Sequence, residues 1–302
     1  MEKLKLTPQE RAVDLKQSDD FYLGLTDIEF RNVVQGRIHH SLEIQVLHCL
    51  NTGARMTPRR VAIAEYLLEL WDRRGMSHEL SEYRFAKKYL ELAYEYLDGV
   101  KNDLSAYAPK RLSAEEQKRF DKMLYGRRTT RSFLDKDVPD ELIDELIDAG
   151  LWAPNGGNMQ LQRFLVIHEK NAPGLFPSSD IPGAPVHIVV AVCNEGIRAL
   201  RCEASSDPVE ARKRITEESM TTHRNFPLNC AAAGQNIIMA AHACGLACAW
   251  QTFGAGEADA LHQHFNLPEN IHLVTYIDVG YAAFTPPAPP RMDVKKAIIG
   301  RI

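Results

Sequence analysis

Several signatures are missing from this chain of 302 residues. It has no Walker A loop, no GxGxxG and no GxSxG, so a P-loop, a Rossmann nicotinamide site and a nucleophile elbow are not expected. Its six cysteines (Cys49, Cys193, Cys202, Cys230, Cys244, Cys248) include no CxxC pair. Several lie in apolar or helical contexts, which in a chain of this size implies a reducing compartment rather than a disulfide framework. Cys244 and Cys248 stand one helical turn apart, but no second pair at metal spacing accompanies them, so no metal is expected. Long hydrophobic runs are lacking too. Ile237 to Trp250, the longest, is broken by His242 and Gly245 and falls short of the ~20 residues that a bilayer crossing needs. The opening MEKLKLTPQERAVD has charge but not the apolar core of a signal peptide. Nor is there a dominant charge: a net −4 and a pI near 6.3 exert no pull towards nucleic acid or anionic membrane. The expectation is a cytoplasmic protein with neither a nucleic-acid nor a membrane partner.

What is present fits an ordinary globular chain, 45% hydrophobic and 25% charged. Residues 1–112 carry helical signals throughout. Thr7-Pro8-Gln9-Glu10 and Thr26-Asp27-Ile28-Glu29 read as capping boxes, and Thr57-Pro58 as a cap with a first-turn proline. Gly75 and Gly99 mark helix ends. Lys101 to Arg111 is the linker candidate, giving a helical N-terminal region at 1–112 and a second domain at 113–302. There, Ser113-Ala114-Glu115-Glu116 opens a helix that Gly126 closes, and Val138-Pro139 starts another. Arg163 to Ile167, Val186 to Val192 and Ile271 to Val279 read as strands. Glu195 to Asn225 is polar and partly helical, an insertion that either lines a substrate entrance or forms a surface excursion. Pro227 to Cys244 is a nearly all-round apolar helix, as expected of one buried at the centre of a dimer. Thr285 to Pro290 is an extended proline-rich arm, with Val294 to Ile302 as a final strand.

The stretch with the most chemistry runs from Arg127 to Gln160. Guanidinium forks and hydroxyls at Arg127-Arg128-Thr129-Thr130-Arg131 suit a phosphate and a polyol. The turn Ala153-Pro154-Asn155-Gly156-Gly157-Asn158-Met159-Gln160 lets backbone amides approach a flat ligand, since glycine lacks a Cβ. The residues by themselves leave a plain alternative, in which the arginines pair with Asp135, Asp137 and Asp293.

These segments resemble the FMN-binding signature of the nitroreductase superfamily, an Arg-Arg-Ser-x-Arg-x-Phe motif followed by Ala-Pro-Ser-x-x-Asn-x-Gln. The resemblance continues through Ala231 to Asn236, Gly245-Leu246, Val279-Gly280-Tyr281 and Arg291. It implies an α+β three-layer fold, a central mixed sheet flanked by helices, in an intertwined homodimer, to which this chain adds an all-α N-terminal region. It implies FMN as cofactor and NAD(P)H as a transient electron donor. Arg128, Thr129 and Arg131 match the residues that hold the phosphate, ribityl chain and ring edge, Arg127 matches the motif arginine before them, and Arg291 joins from afar. Pro154, Asn155, Gly156 and Asn158 match the segment packed on the flavin from the other subunit, and the backbone at Thr252 and Phe253 matches that near flavin N5. No side-chain acid is required, because the flavin carries the chemistry. The implied reaction passes electrons from NAD(P)H to a conjugated small-molecule acceptor, such as a nitroaromatic or quinone.

Two departures bear on the pocket wall. Leu161-Gln162 stands where relatives have Pro-Trp, and Asn155 stands where they have serine. The region after Gln160 is compact, so the N-terminal helices are expected to cover the pocket mouth. Two rivals remain: an oxygen-using enzyme of the same fold, of the flavin-fragmenting or azoline-dehydrogenating type, and a flavin-binding module that docks a protein through the Tyr66 to Trp71 face. The histidine pairs His39-His40 and His262/His264 have no carboxylate or cysteine arranged beside them and are expected to be ordinary surface or core residues. A nucleophilic role for Cys230 lacks a partner group.

Overall fold

The computed structural model describes residue 7 and residues 15–100, 104–176, 183–217 and 225–302. The capping box expected at Thr7 to Glu10, the start of the linker and part of the polar insertion therefore lie outside the described residues.

The N-terminal region is helical: α1 (Asp19–Leu23), α2 (Asp27–Arg37), α3 (Ile44–Thr52), α4 (Pro58–Arg73) and α5 (Ser81–Leu97). The box at Thr26 forms as read, with the Glu29 amide donating to the Thr26 hydroxyl and the Thr26 amide to the Glu29 carboxylate. Pro58 opens α4 at its first turn, although the Thr57 side chain makes no cap bond. Gly75 and Gly99, both at positive φ, follow the ends of α4 and α5. A π-helical turn, Ile38–Glu43, joins α2 to α3 and is invisible to a reading of helical periodicity. The helices close around Trp71, Phe30, Tyr22, Leu67 and Leu70, all fully buried. The Tyr66 to Trp71 stripe, weighed above as a docking face, is thus part of this core.

The second half is built on four strands, β1 (Gln162–His168), β2 (Val186–Cys193), β3 (Ala247–Gln251) and β4 (Ile271–Gly280), in spatial order β1-β2-β4-β3. Every named pair is antiparallel. The mixed character implied by the resemblance is confined to one isolated parallel bridge, Thr129 with Cys248. Strand β2 is buried along its whole length, and its alternate residues serve two faces. Val186, Ile188, Val190 and Val192 join the core formed with α7 (Asp140–Leu151) and α10 (Asn225–Ala243). Val189 faces a smaller cluster of Ile167, Phe176, Tyr276 and Leu261, the last from α11 (Glu257–His264). The three layers follow from that alternation. Among the described residues no helix is long and apolar enough to cross a membrane.

The polar insertion is neither a bare entrance nor a loose excursion where it is described. It forms α8 (Glu195–Ala204) and α9 (Pro208–Glu217), and α8 packs along α2. A Cβ at Gly196 would lie 2.1 Å from Asn32 Cγ, and one at Gly36 2.9 Å from Leu200 Cδ2, so each glycine admits a side chain of the facing helix. Buried Glu203 accepts from Tyr22 (2.8 Å) and pairs with Arg37, while Arg212 reaches buried Glu29 at 2.6 Å. Ala199 completes the N-terminal core. The expected final strand does not form: α12 (Val294–Ala297) is a single turn, and residues 291–302 are exposed. Among the described residues the segment pairs with neither edge strand of the sheet, β1 or β3.

Candidate functional site

Helix α6 (Ala114–Gly126) begins with the Ser113/Glu116 capping box and buries no residue. Arg127 then turns the chain into an extended course. The Thr130 amide donates to the Cys248 carbonyl (3.1 Å), the Leu134 amide to Tyr281 (2.8 Å), and the Ala283 amide to Ser132 (3.0 Å). Residues 129–134 are thereby stitched to β3 and to the chain leaving β4. Gly280 permits this, since a Cβ there would fall 2.8 Å from Phe133 and 2.6 Å from Pro185.

Beside this segment lies a cavity of about 300 Å³ bordered by Arg127, Arg128, Thr129 and Arg131, with Arg291 entering from the proline arm alongside Pro286, Pro287 and Pro289. Arg128 Nη1 donates to the Tyr125 and Arg127 carbonyls (2.7 and 2.8 Å), and Arg291 Nη1 donates to the Pro290 carbonyl (3.1 Å). Among the described residues none of these four guanidinium groups is paired with a carboxylate. Two of the acids weighed as partners are used elsewhere: Asp137 holds Lys170 at 2.7 Å, and Asp293 accepts from the Lys295 amide at 2.7 Å. Nearby His242 is held below its ordinary pKa by burial and then by Arg127, Arg128 and Lys122, which reports the local positive field. Cations without acids, next to a hydroxyl, form a donor set that fits a phosphate dianion.

The turn is built differently. Gly157, Asn158 and Gln160 all have left-handed φ, at 63°, 50° and 50°. Two of these are not glycine, and such conformations persist only where surrounding bonds impose them. Asn155 supplies the bonds: its Oδ1 accepts from the Gln160 amide (2.9 Å) and its carbonyl from the Asn158 amide (3.2 Å). The departure from serine therefore places a side chain that closes the loop. The Gly156 amide donates to Asn229 of α10 at 3.3 Å. Pro154, Gly156 and Asn158 are exposed. None of Pro154 to Asn158 borders the arginine cavity, so one chain does not bring the two halves of the expected site into a single pocket.

Thr252 and Phe253 follow the end of β3, with Thr252 exposed and the Phe253 ring 5.2 Å from that of Tyr276. The strand end is pinned by part-buried polar bonds. Trp250 Nε1 donates to Thr275 Oγ1 (2.7 Å), and Gln251 Nε2 to Asp278 Oδ2 (3.0 Å). Asp278, fully buried, meets His187 Nδ1 at 2.6 Å, and His187 Nε2 meets Glu169 at 3.1 Å. Sequence reasoning missed this chain of contacts. Its signal was His187 in the otherwise apolar β2 and Asp278 near the buried end of β4.

The histidine reading needs correction at His39. Its Nδ1 lies 2.6 Å from Glu43 Oε2, one turn along the π-helix, and Tyr89 donates to the same carboxylate at 3.0 Å. Burial pushes the Cys230 and Cys248 thiols up to about 12, which leaves both protonated and inert as nucleophiles. Exposed Cys244 sits against Glu145, and no metal-holding cluster occurs among the described residues.

The sequence model of the Nitroreductase family matches residues 124–281, just over half of the chain. The chain belongs to the nitroreductase family. The matched span holds both the arginine segment and the turn, and leaves the N-terminal helices outside it. A protein of Methanothermobacter thermautotrophicus named for NADH dehydrogenase/NAD(P)H nitroreductase is 26% identical over 165 residues, 53% of this chain and 75% of that one. The nitrobenzene nitroreductase of Ectopseudomonas oleovorans is 25% identical over 198 residues, 54% of this chain and 86% of that one. Among solved structures, the nitroreductase family protein of Streptococcus pneumoniae TIGR4 aligns with a TM-score of 0.50 and 19% identity, covering 60% of this chain and all of that one, a likeness of fold.

Proposed function

We propose that the protein is an FMN-dependent oxidoreductase that passes electrons from NAD(P)H to a conjugated acceptor such as a nitroaromatic or quinone. The observation that carries this reading is the convergence of Arg127, Arg128, Arg131 and Arg291 on one cavity without an acid among its lining residues. Arg128, Arg131 and Arg291 would hold the phosphate, with Thr129 bonding the ribityl chain. The amides of the Thr252–Phe253 segment would face the ring, held in place by the Trp250–Thr275 and Gln251–Asp278 bonds. Bound there, the isoalloxazine supplies hydride transfer at N5, and the protein supplies position and electrostatics. The names of the archaeal and Ectopseudomonas relatives agree with this reaction class.

The second half of the site comes, in this reading, from another copy of the chain. Pro154, Asn155, Gly156 and Asn158 of one protomer would lie on the flavin held by its partner's arginines. Exposed large apolar side chains support a homodimer. Trp152 is 81% exposed, and Phe120, Leu124, Tyr125, Leu228, Phe284, Met292 and Ile299 are exposed as well. Where such side chains adjoin on a folded chain they mark association surfaces. The test is direct: the purified protein should be yellow and dimeric, and NADPH should bleach its visible absorbance without air. A colourless protein that ignores added FMN would end the proposal.

A further inference from the structure

The N-terminal helices, which lie outside the span matched by the family, reach the turn through the π-helical segment Ile38–Glu43. A Cβ built on Gly157 would lie 3.5 Å from His40 Nε2 and 3.7 Å from His39 Cδ2, so two imidazoles flank the apex of the loop. The His39 and His40 rings meet edge to face at 4.8 Å. Behind them run two contacts to one carboxylate, His39 Nδ1 to Glu43 at 2.6 Å and Tyr89 to Glu43 at 3.0 Å. The Ser41 carbonyl accepts from Arg60 of α4 at 3.3 Å, which ties the same turn to the helical core. Leu42 and Ile38 on the other side of the turn are fully buried. A π-helical insertion, often found at functional sites, rotates consecutive residues out of α-helical register. Here it sends two greasy side chains inward and leaves His40 exposed beside the strained loop. Among the described residues the His40 imidazole makes no hydrogen bond or ion pair, while partial burial and the neighbouring His39 hold its pKa below the ordinary value. A neutral ring therefore offers one N–H donor and one acceptor at the loop.

We propose that His40 is a specificity-determining wall residue of the acceptor pocket, donating a hydrogen bond to an oxygen of a planar acceptor lying over the 155–158 turn. His39, fixed by Glu43 and Tyr89, is the positioning residue that sets the His40 ring. This inference rests on the flavin reading above, and it assigns to the N-terminal region a share in selecting the oxidant.

The test uses full-length protein carrying FMN and kept oxidised, so that binding is read without turnover. Nitrobenzene and toluene, flat rings with and without oxygens, are titrated while the flavin spectrum is followed. For His40→Ala the dissociation constant of nitrobenzene should rise about tenfold, the loss of one useful hydrogen bond, while that of toluene stays the same. His40→Gln, which keeps a donor, should recover part of the loss, and His39→Ala should show a smaller loss for nitrobenzene alone. Unchanged nitrobenzene binding in His40→Ala overturns the proposal, as does an equal weakening for toluene, which would mean mere packing. Loss of FMN from His40→Ala, with the parent protein yellow, also overturns it, by making His40 a prop of the loop. A parent protein that holds no FMN would defeat the underlying flavin reading first, a result distinct from all of these.

Discussion

Arg131 and Arg291 stand 160 positions apart in the chain yet border one cavity, and among the described residues no carboxylate pairs with either. A charge-assisted bond to phosphate contributes about 1.5–3 kcal/mol. Arg131→Ala and Arg291→Ala should therefore each raise the FMN dissociation constant roughly tenfold or more, read by quenching of free-flavin fluorescence. Either variant binding as the parent does would remove that arginine from the phosphate site. Titration gives a second residue-scale prediction. His40, His242 and His272 are all depressed from their ordinary value of 6.5, in each case first by burial. The unfolded chain therefore takes protons on these groups before the folded one does. Stability from keeping them neutral is present above pH 6.5 and is lost as pH falls through their lower folded values. The urea midpoint should drop between pH 7.5 and 5.5, and His242→Gln should flatten that slope; a midpoint insensitive to the substitution would refute the assignment. The arginine motif was readable in sequence, since its order and residue types are local. The contacts of His39, His40 and the buried His187–Asp278 pair were not, because a histidine's role depends on what faces it.

Elements show the same division. Capping boxes at Thr26 and Ser113 form as written because their donors and acceptors lie three residues apart. The π-helical turn and the α2–α8 packing could not be read so, because both are settled by contacts distant in sequence. At that packing Gly196 has no room for a side chain, its virtual Cβ being 2.1 Å from Asn32 Cγ. Gly196→Ala should force the two helices apart and cost about 1–3 kcal/mol, in line with overpacking a tight contact. Chemical denaturation would measure it, and an unchanged midpoint would mean that Asn32 moves aside freely. The same logic covers 294–302, where apolar residues promised a strand and the described segment instead makes one helical turn away from both sheet edges.

At the scale of the whole molecule the two regions share a core. Ala199 of α8 is buried among the N-terminal helices, and Lys16, Gln17, Tyr22 and Arg37 all bond to the 203–205 corner. A boundary near residue 112 is therefore a division of the sequence more than of the packing. Deleting everything before Leu112 would uncover Ala199 and Leu200 and strand buried Glu203 without its partners. The expected result is insoluble protein rather than a smaller active one; a soluble, flavin-binding fragment would show that the helices are a dispensable addition. The exposed Trp152, Phe120 and Tyr125 lead to a further expectation, a dimer that sedimentation velocity should detect at micromolar concentration.

By itself the sequence determined the helical first third, the strands β1, β2 and β4 though not β3, the capping boxes at Thr26 and Ser113, and the order of motifs that places the chain in its family. Those features are set by periodicity and by interactions spanning a few residues. Only the tertiary structure decided that Arg291 returns to Arg131, that the polar insertion clamps the N-terminal helices, and that His40 overlooks Gly157. Each of these is a contact between segments far apart along the chain, fixed by how whole elements pack, and no local pattern of residues encodes it.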